Sequence, residues 1–192
     1  MNNPSVDAQF HLSLQGAVIE ILGRQEAQKV LNAILNSDVV DIEQPIDSSV
    51  DLLNGISDEF SILYQPNTAK GLLIRIGEAA FSKLRRKLHP LNALGSTENR
   101  LQPFEQKFES SMIQLAEILA TATGISIEYE SQPDQCYSLQ IADGSMHVYF
   151  FAGLLRAFGT WLDSRRDYHT EVQPAETGNP SGCVRLCVRP AH

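Results

Sequence analysis

The side chains best suited to chemistry are three cysteines and five histidines. Cys183 and Cys187 are four residues apart on a predicted strand, so both side chains point to one face. Along an extended strand they would be roughly 13 Å apart, too far for a shared metal or a disulfide. We interpret both as small apolar residues packed against helices, and three cysteines predict no disulfide framework.

His169 is the histidine that lies near an acid, Glu171, and a ligand role for it is the minor alternative among scattered histidines. The sequence has no phosphate-binding glycine loop, no nucleophile elbow, no His-Glu-x-x-His helix and no Cys-x-x-Cys pair. It therefore predicts no catalytic residues and a protein that is not an enzyme.

Two sets of cations are candidates for contacts with anions. The basic run from Lys83 to Lys87 fits the C-terminal end of a helix, where cations interact favourably with the helix dipole; a surface for an anionic partner is the alternative. Arg75 lies close to an apolar stripe on its helix. In the simpler interpretation, the Arg75 side chain extends along the helix so that its guanidinium group reaches solvent. In the alternative, the guanidinium group binds the polar head group of a ligand.

Aromatic side chains are concentrated on two predicted helices, where they form either plain core or the wall of an apolar pocket. The pocket hypothesis assigns ligand binding to Arg75, Phe104, Phe108, Met112, Tyr149, Phe150 and Trp161. Burial at roughly 25 cal/mol per Å² of apolar area would suffice for micromolar binding. The hypothesis includes no metal and no cofactor.

The elements that must position these residues follow from hydrophobic periodicity. Five helical segments are predicted, the first with Gly23 as a possible break between two shorter helices: 15–36, 50–63, 67–88, 103–123 and 145–163. The second has Leu52, Leu53, Ile56, Phe60 and Leu63 inward, and the third has its apolar stripe from Leu72 to Leu84. Residues 37–50 read as a connection.

Period-two alternation predicts a hairpin of strands 125–131 and 137–141, followed by strands 168–173 and 183–188. This order predicts an α+β fold with a four-stranded antiparallel sheet packed against several helices. Residues 1–65 form an N-terminal helical segment of the same unit, and residues 66–192 form the ligand-binding core.

The net charge of −8 and pI near 5.1 argue against nucleic-acid and anionic-membrane partners, which select basic surfaces. The sequence contains no apolar run long enough to span a membrane and no secretory signal at its start. A cytoplasmic location is the simplest expectation.

Four strings in order resemble the 4-vinyl reductase-like, or hydrocarbon-binding, domain family, which is similar in fold to subunits of Golgi transport tethering complexes. They are ILGRQEAQKVLNAIL, GLLIRIGEAAF, AGLLRAFGTWL and the closing stretch with Glu171, Gly178-Asn-Pro180 and Cys183. The resemblance implies a NO-signalling/Golgi-transport ligand-binding-like fold, a homodimer and a small hydrophobic ligand.

The same resemblance implies a zinc site, of which only Glu171 and Cys183 are present here. Val148 and Pro174 stand where the other ligands are expected, and neither can bind zinc, so no zinc is predicted. The favoured function is binding or sensing of a small hydrophobic ligand by a stand-alone domain. The alternatives are participation in tetrapyrrole vinyl reduction, and a protein-interaction or scaffold subunit.

Overall fold

The computed structural model describes residues 5–35, 49–87, 91, 94, 103–131, 136–142, 146–175 and 181–189. Six helices lie in this part of the chain: α1 (Val6–Leu22), α2 (Arg24–Leu35), α3 (Ser49–Leu63), α4 (Pro66–Lys87), α5 (Phe104–Thr123) and α6 (His147–Leu162). Four strands lie there too: β1 (Ile127–Ser131), β2 (Cys136–Ile141), β3 (Tyr168–Gln173) and β4 (Gly182–Val188). The predicted boundary between residues 65 and 66 stays a prediction.

The four strands form one antiparallel sheet in the order β1-β2-β4-β3. β1 and β2 pair as the predicted hairpin, with Ile127 opposite Ile141; the turn between them lies outside the described residues. The α+β fold with a four-stranded antiparallel sheet is thus confirmed. No helix in the described part of the chain is both long and apolar enough to cross a bilayer.

The N-terminal helix begins nine residues earlier than predicted. Ser5 accepts a hydrogen bond from the backbone N–H of Ala8 at 3.2 Å, which caps the first turn. Gly23, at φ 79°, separates α1 from α2, so the alternative of two shorter helices is confirmed. Hydrophobic periodicity did not predict the first turns of α1, because this helix is buried on several sides and some of its buried residues, such as His11 and Gln15, are polar.

The middle helices agree with the periodicity except at single positions. In α3, Leu63 is 51% exposed, so its predicted inward orientation is wrong, whereas Leu52 to Phe60 contribute the buried face. In α4, Leu72 is only half-buried. The helix begins at Pro66, a favourable first-turn residue, one position before the predicted start. The predicted end of this helix at residue 88 and most of the 37–50 connection lie outside the described residues.

Two glycines let α4 and α6 touch backbone to backbone. A Cβ added at Gly77 would overlap the carbonyl oxygen of Phe150, and one at Gly153 would overlap that of Ile74. A Cβ at Gly153 would also lie 2.7 Å from the carbonyl carbon of Ile74. Glycine is therefore required at both positions. The close crossing sets the distance between the two helices, and so the distance between side chains of α4 and side chains of α6.

Aromatic rings fill the layer between α5, α6 and the sheet. The centroid of Phe108 lies 4.4 Å from Tyr137, 5.7 Å from Tyr168 and 6.0 Å from Phe158. Such pairs stabilise beyond the area that they bury. Burial raises the pKa of Tyr137 to about 12, so its hydroxyl stays protonated at neutral pH.

Candidate functional site

An open groove of about 850 Å³ lies along α1, α4, α6 and the start of β3, within the size range of small-molecule sites. Its apolar lining includes Ile21, Ala79, Ala157 and Trp161. Its charged lining consists of four arginines and three acids: Arg75, Arg85, Arg156, Arg189, Glu20, Glu78 and Asp167. The groove therefore offers both apolar and charged side chains to a ligand.

Two of the four arginines that line the groove form ion pairs with acids of the groove. Arg156 of α6 donates to Glu78 of α4 through Nε, at 2.6 Å, and through Nη2. Arg189 pairs with Asp167 at 3.0 Å. Lys83, on the same helix as Glu78, holds the third acid, Glu20, at 2.7 Å. Such exposed ion pairs contribute little to the stability of the fold. They do, however, pair each of the three acids of the groove with a cation.

Arg75 and Arg85 remain, and no residue in the described part of the chain forms an ion pair with either. Arg75 is exposed and Arg85 half-buried. Guanidinium groups favour planar anions such as carboxylate and phosphate, with which they form paired hydrogen bonds. Arg75 and Arg85 are ten residues apart on α4, about 15 Å along its axis, so each is suited to an anionic group by itself and the two do not form one site.

Trp161 is the single tryptophan of the chain. It is half-buried at the C-terminal end of α6. Its ring packs on Phe81, at 5.8 Å between centroids, and on Phe158, at 6.2 Å. It therefore connects the groove to the aromatic core and offers an apolar surface in the groove.

The seven predicted ligand-binding residues lie in different places, and only Arg75 and Trp161 line the groove. Phe108 and Met112 are buried on α5, and Phe104 packs at a tilt on Phe108, with ring centroids 5.2 Å apart, and lies beneath Arg166. Phe150 contacts Phe10, and Tyr149 lies under Lys70. Because Phe150 precedes Trp161 by 11 residues on one helix, about 17 Å separates them along its axis. Sequence reasoning missed Arg156 and Arg189, which join the groove only in the tertiary structure, and it placed Arg85 in the basic run 83–87 and not in a pocket.

The sheet face that points away from the helices carries the cysteines. Cys136 and Cys187 are directly opposite across β2 and β4, with Cα atoms 4.2 Å apart, and form a disulfide. The interpretation of Cys187 as a small apolar residue packed against helices is therefore wrong, and the Cys136–Cys187 pair was not considered. Fifty-one residues separate the two cysteines, and only the β2-β4 pairing brings them together. Cys183 is a buried free thiol, and burial raises its pKa.

No family model and no curated protein matches this sequence. Solved structures of H-NOX domains do match its fold. An H-NOX protein from S. oneidensis in the Fe(II) ligation state is 12% identical, with 94% of this chain and 97% of that chain covered, at a TM-score of 0.59. An oxygen-binding H-NOX domain related to soluble guanylate cyclases is 8% identical, with 96% and 95% covered, at 0.57.

A third structure, from a study of heme distortion in the H-NOX family, is 8% identical, with 97% and 96% covered, at a TM-score of 0.63. The chain has an H-NOX-like fold. Identities this low show the fold alone. The resemblance to the 4-vinyl reductase-like family is wrong, because the structural neighbours are H-NOX domains and no family model matches. Short strings of apolar and small residues produced it, and such strings recur wherever helices pack closely.

Heme, which the fold suggests, does not fit the two interior layers described above. The backbone contact at Gly77 and Gly153 closes the space between α4 and α6, and rings around Phe108 fill the space above the sheet. Of the three described histidines, His11 is buried in α1, His147 Nδ1 lies 3.3 Å from Ser57 Oγ, and His169 lies on the opposite face of the sheet. Neither layer accommodates a planar macrocycle, and we assign no role to one.

Proposed function

We propose that this chain is a non-catalytic domain that binds a small amphipathic ligand in the groove between α4 and α6. The apolar part of the ligand lies on Trp161 and its neighbours. Its anionic group lies against Arg75. The observation that carries the proposal is Arg75, which has no carboxylate partner among the described residues and lines, together with Trp161, a groove of about 850 Å³.

Electrostatics supports an anionic group at this position although the chain as a whole carries a net charge of −8. Glu78, Asp167 and Glu20 are each held by a cation, which reduces their repulsion of an incoming anion. Charge-assisted hydrogen bonds to a carboxylate are roughly twice as strong as neutral ones. The surroundings of Arg75 therefore favour an anion although the chain as a whole is acidic.

The likeness to H-NOX domains supports small-ligand binding as a use of this fold, since one of them is described as oxygen-binding. The present proposal differs in placing the ligand in the groove and not at a heme. An interior hydrophobic pocket at Phe104, Phe108, Met112, Tyr149 and Phe150 stays a prediction. Homodimerisation and a cytoplasmic location also stay predictions, the first of which light scattering would check.

The test uses dodecanoate as an anionic amphipathic probe and dodecanol as its neutral counterpart. Because the chain has a single tryptophan and it lines the groove, its fluorescence reports binding at this site. We expect saturable quenching or a spectral shift with dodecanoate. Arg75→Gln should weaken dodecanoate binding by about tenfold, which corresponds to about 1.4 kcal/mol, and should leave binding of dodecanol unchanged.

Arg24→Gln is the matched control, because Arg24 is also exposed but lies at the start of α2, outside the groove lining. It should bind both probes like the unaltered protein. Fluorescence that does not respond to either probe, or equal losses for Arg75→Gln and Arg24→Gln, would exclude the groove as the ligand site.

A further inference from the structure

The sheet face that points away from the helices contains a set of donor atoms that the proposed ligand groove does not use. Strand pairing aligns Cys136, Cys187 and His169 in one row across β2, β4 and β3. Glu171 lies two residues after His169 on the same strand and therefore on the same face. Four side chains of the types that bind metal ions are thus neighbours on three adjacent strands.

The donor atoms are close enough to share one ion. Ligand atoms of His169, Glu171 and Cys187 all lie within 4.8 Å of one another, and His169 Nε2 is 3.7 Å from Glu171 Oε1. Nδ1 of His169 is buried and has no hydrogen-bond partner among the described residues. The side chains of His169 and Glu171 are 36% and 53% exposed, so an ion from solvent can reach them.

We propose that Cys136, Cys187, His169 and Glu171 form a zinc-type metal site that reduction of the Cys136–Cys187 disulfide opens. In the disulfide form the sulfur atoms have no thiolate charge, and only His169 and Glu171 are left as ligands. In the reduced form two thiolates, one imidazole and one carboxylate provide four ligands. That number and this sulfur-rich set match tetrahedral Zn²⁺.

The redox step is a thiol–disulfide exchange with a dithiol. One thiolate of the dithiol attacks Cys136 Sγ, which belongs to the less buried of the two cysteines, and Cys187 leaves as a thiolate. The second thiol of the reagent then displaces Cys136 and closes a cyclic disulfide. Two electrons pass from the dithiol to the protein, and the protein thiols lose two protons when the metal binds.

Arg185 lies directly opposite Glu171 in the neighbouring row of the same face. Its cation favours the thiolate form of nearby cysteines, which assists metal binding, but it also competes for the carboxylate of Glu171. Cys183 is on this face too, but it pairs with Gln140 and Gln173 in a third row. It is therefore a thiol that belongs to the same surface but not to the site.

The experiment compares the full chain purified without reductant with the chain treated with dithiothreitol and desalted under nitrogen. Co²⁺ is the probe, because thiolate ligands give charge-transfer bands and a tetrahedral site gives intense d–d bands; Zn²⁺ then displaces it. We expect one Co²⁺ per reduced chain. The disulfide form, which lacks two ligands, should bind at least about 100-fold more weakly.

His169→Gln and Glu171→Gln test the non-sulfur ligands and leave the cysteine pair intact. Each should weaken Co²⁺ binding by the reduced protein at least about tenfold. Cys183→Ser is the matched control, since it removes a cysteine of the same face outside the site and should leave both spectrum and affinity unchanged. Circular dichroism of the reduced protein verifies that the sheet persists.

Three results would overturn the proposal. The first is reduced protein that retains its circular dichroism spectrum but gives no thiolate-to-cobalt band. The second is equal Co²⁺ affinity for the oxidised and reduced forms. The third is a loss of binding in Cys183→Ser that matches or exceeds the loss in His169→Gln.

Discussion

The contact between α4 and α6 makes Gly153→Ala the most informative perturbation of this fold. The added methyl would overlap the carbonyl oxygen of Ile74 and lie 2.7 Å from its carbonyl carbon. Carbon atoms in favourable contact are about 3.5–4.0 Å apart, so the helices must separate by about 0.8 Å or more. A backbone carbonyl cannot rotate out of the way as a side chain can.

Overpacking of this kind costs about 1–3 kcal/mol, and a rigid obstacle places this case near the upper end. Alanine in place of glycine recovers up to about 1 kcal/mol of helix propensity. We therefore expect a net loss of about 2 kcal/mol in the free energy of unfolding. For a chain of this length that lowers Tm by about 4–8 °C.

The assay is urea denaturation followed by circular dichroism, with midpoints and slopes compared between variants. Gly71→Ala is the control, because Gly71 is an exposed residue of α4 where a Cβ meets nothing within 4 Å. It should stabilise the protein by up to about 1 kcal/mol through helix propensity alone. If Gly153→Ala proved as stable as Gly71→Ala, the proposed close crossing of α4 and α6 would be refuted.

Three further predictions concern the core and its titrating groups. Phe108→Ala should cost about 3–5 kcal/mol in chemical denaturation because it empties the centre of the ring cluster, whereas Ile113→Ala, at an exposed site of the same helix, should cost well under that. The hydrogen bond from Arg165 holds the pKa of Asp163 below its ordinary value, so its stabilisation is present above pH 4 and lost below it; Asp163→Asn should flatten that part of the stability–pH profile. Burial lowers the pKa of His11, so the unfolded chain binds the extra proton and stability falls as pH drops through about 6.5; His11→Gln should remove that fall, and an unchanged profile would contradict it.

Local signals predicted most of the elements. Gly124 ends α5 in the left-handed conformation, as its position after the apolar period of that helix indicates. β3 spans Tyr168–Gln173, the strand that alternation predicts. The first turns of α1 were missed because a helix buried on several sides has no single apolar stripe.

Contacts between distant segments were beyond such signals. Cys136 and Cys187 pair because β4 lies beside β2 in the sheet order β1-β2-β4-β3. The residues of an individual strand do not predict that order. Arg75 was singled out from its helix, but its neighbours in the groove come from α6 and from the residues around β3 and β4. Their convergence depends on how closely two glycines allow α4 and α6 to approach.

The sequence by itself determined which segments are helices, which are strands and which faces are apolar, because these properties depend on residues within a few positions of one another. The tertiary structure decided the order of the strands, the cysteine pairing and the grouping of the arginines. Those features depend on the packing of surfaces far apart in the chain, where many registers satisfy the same local pattern and only the packed interior selects one.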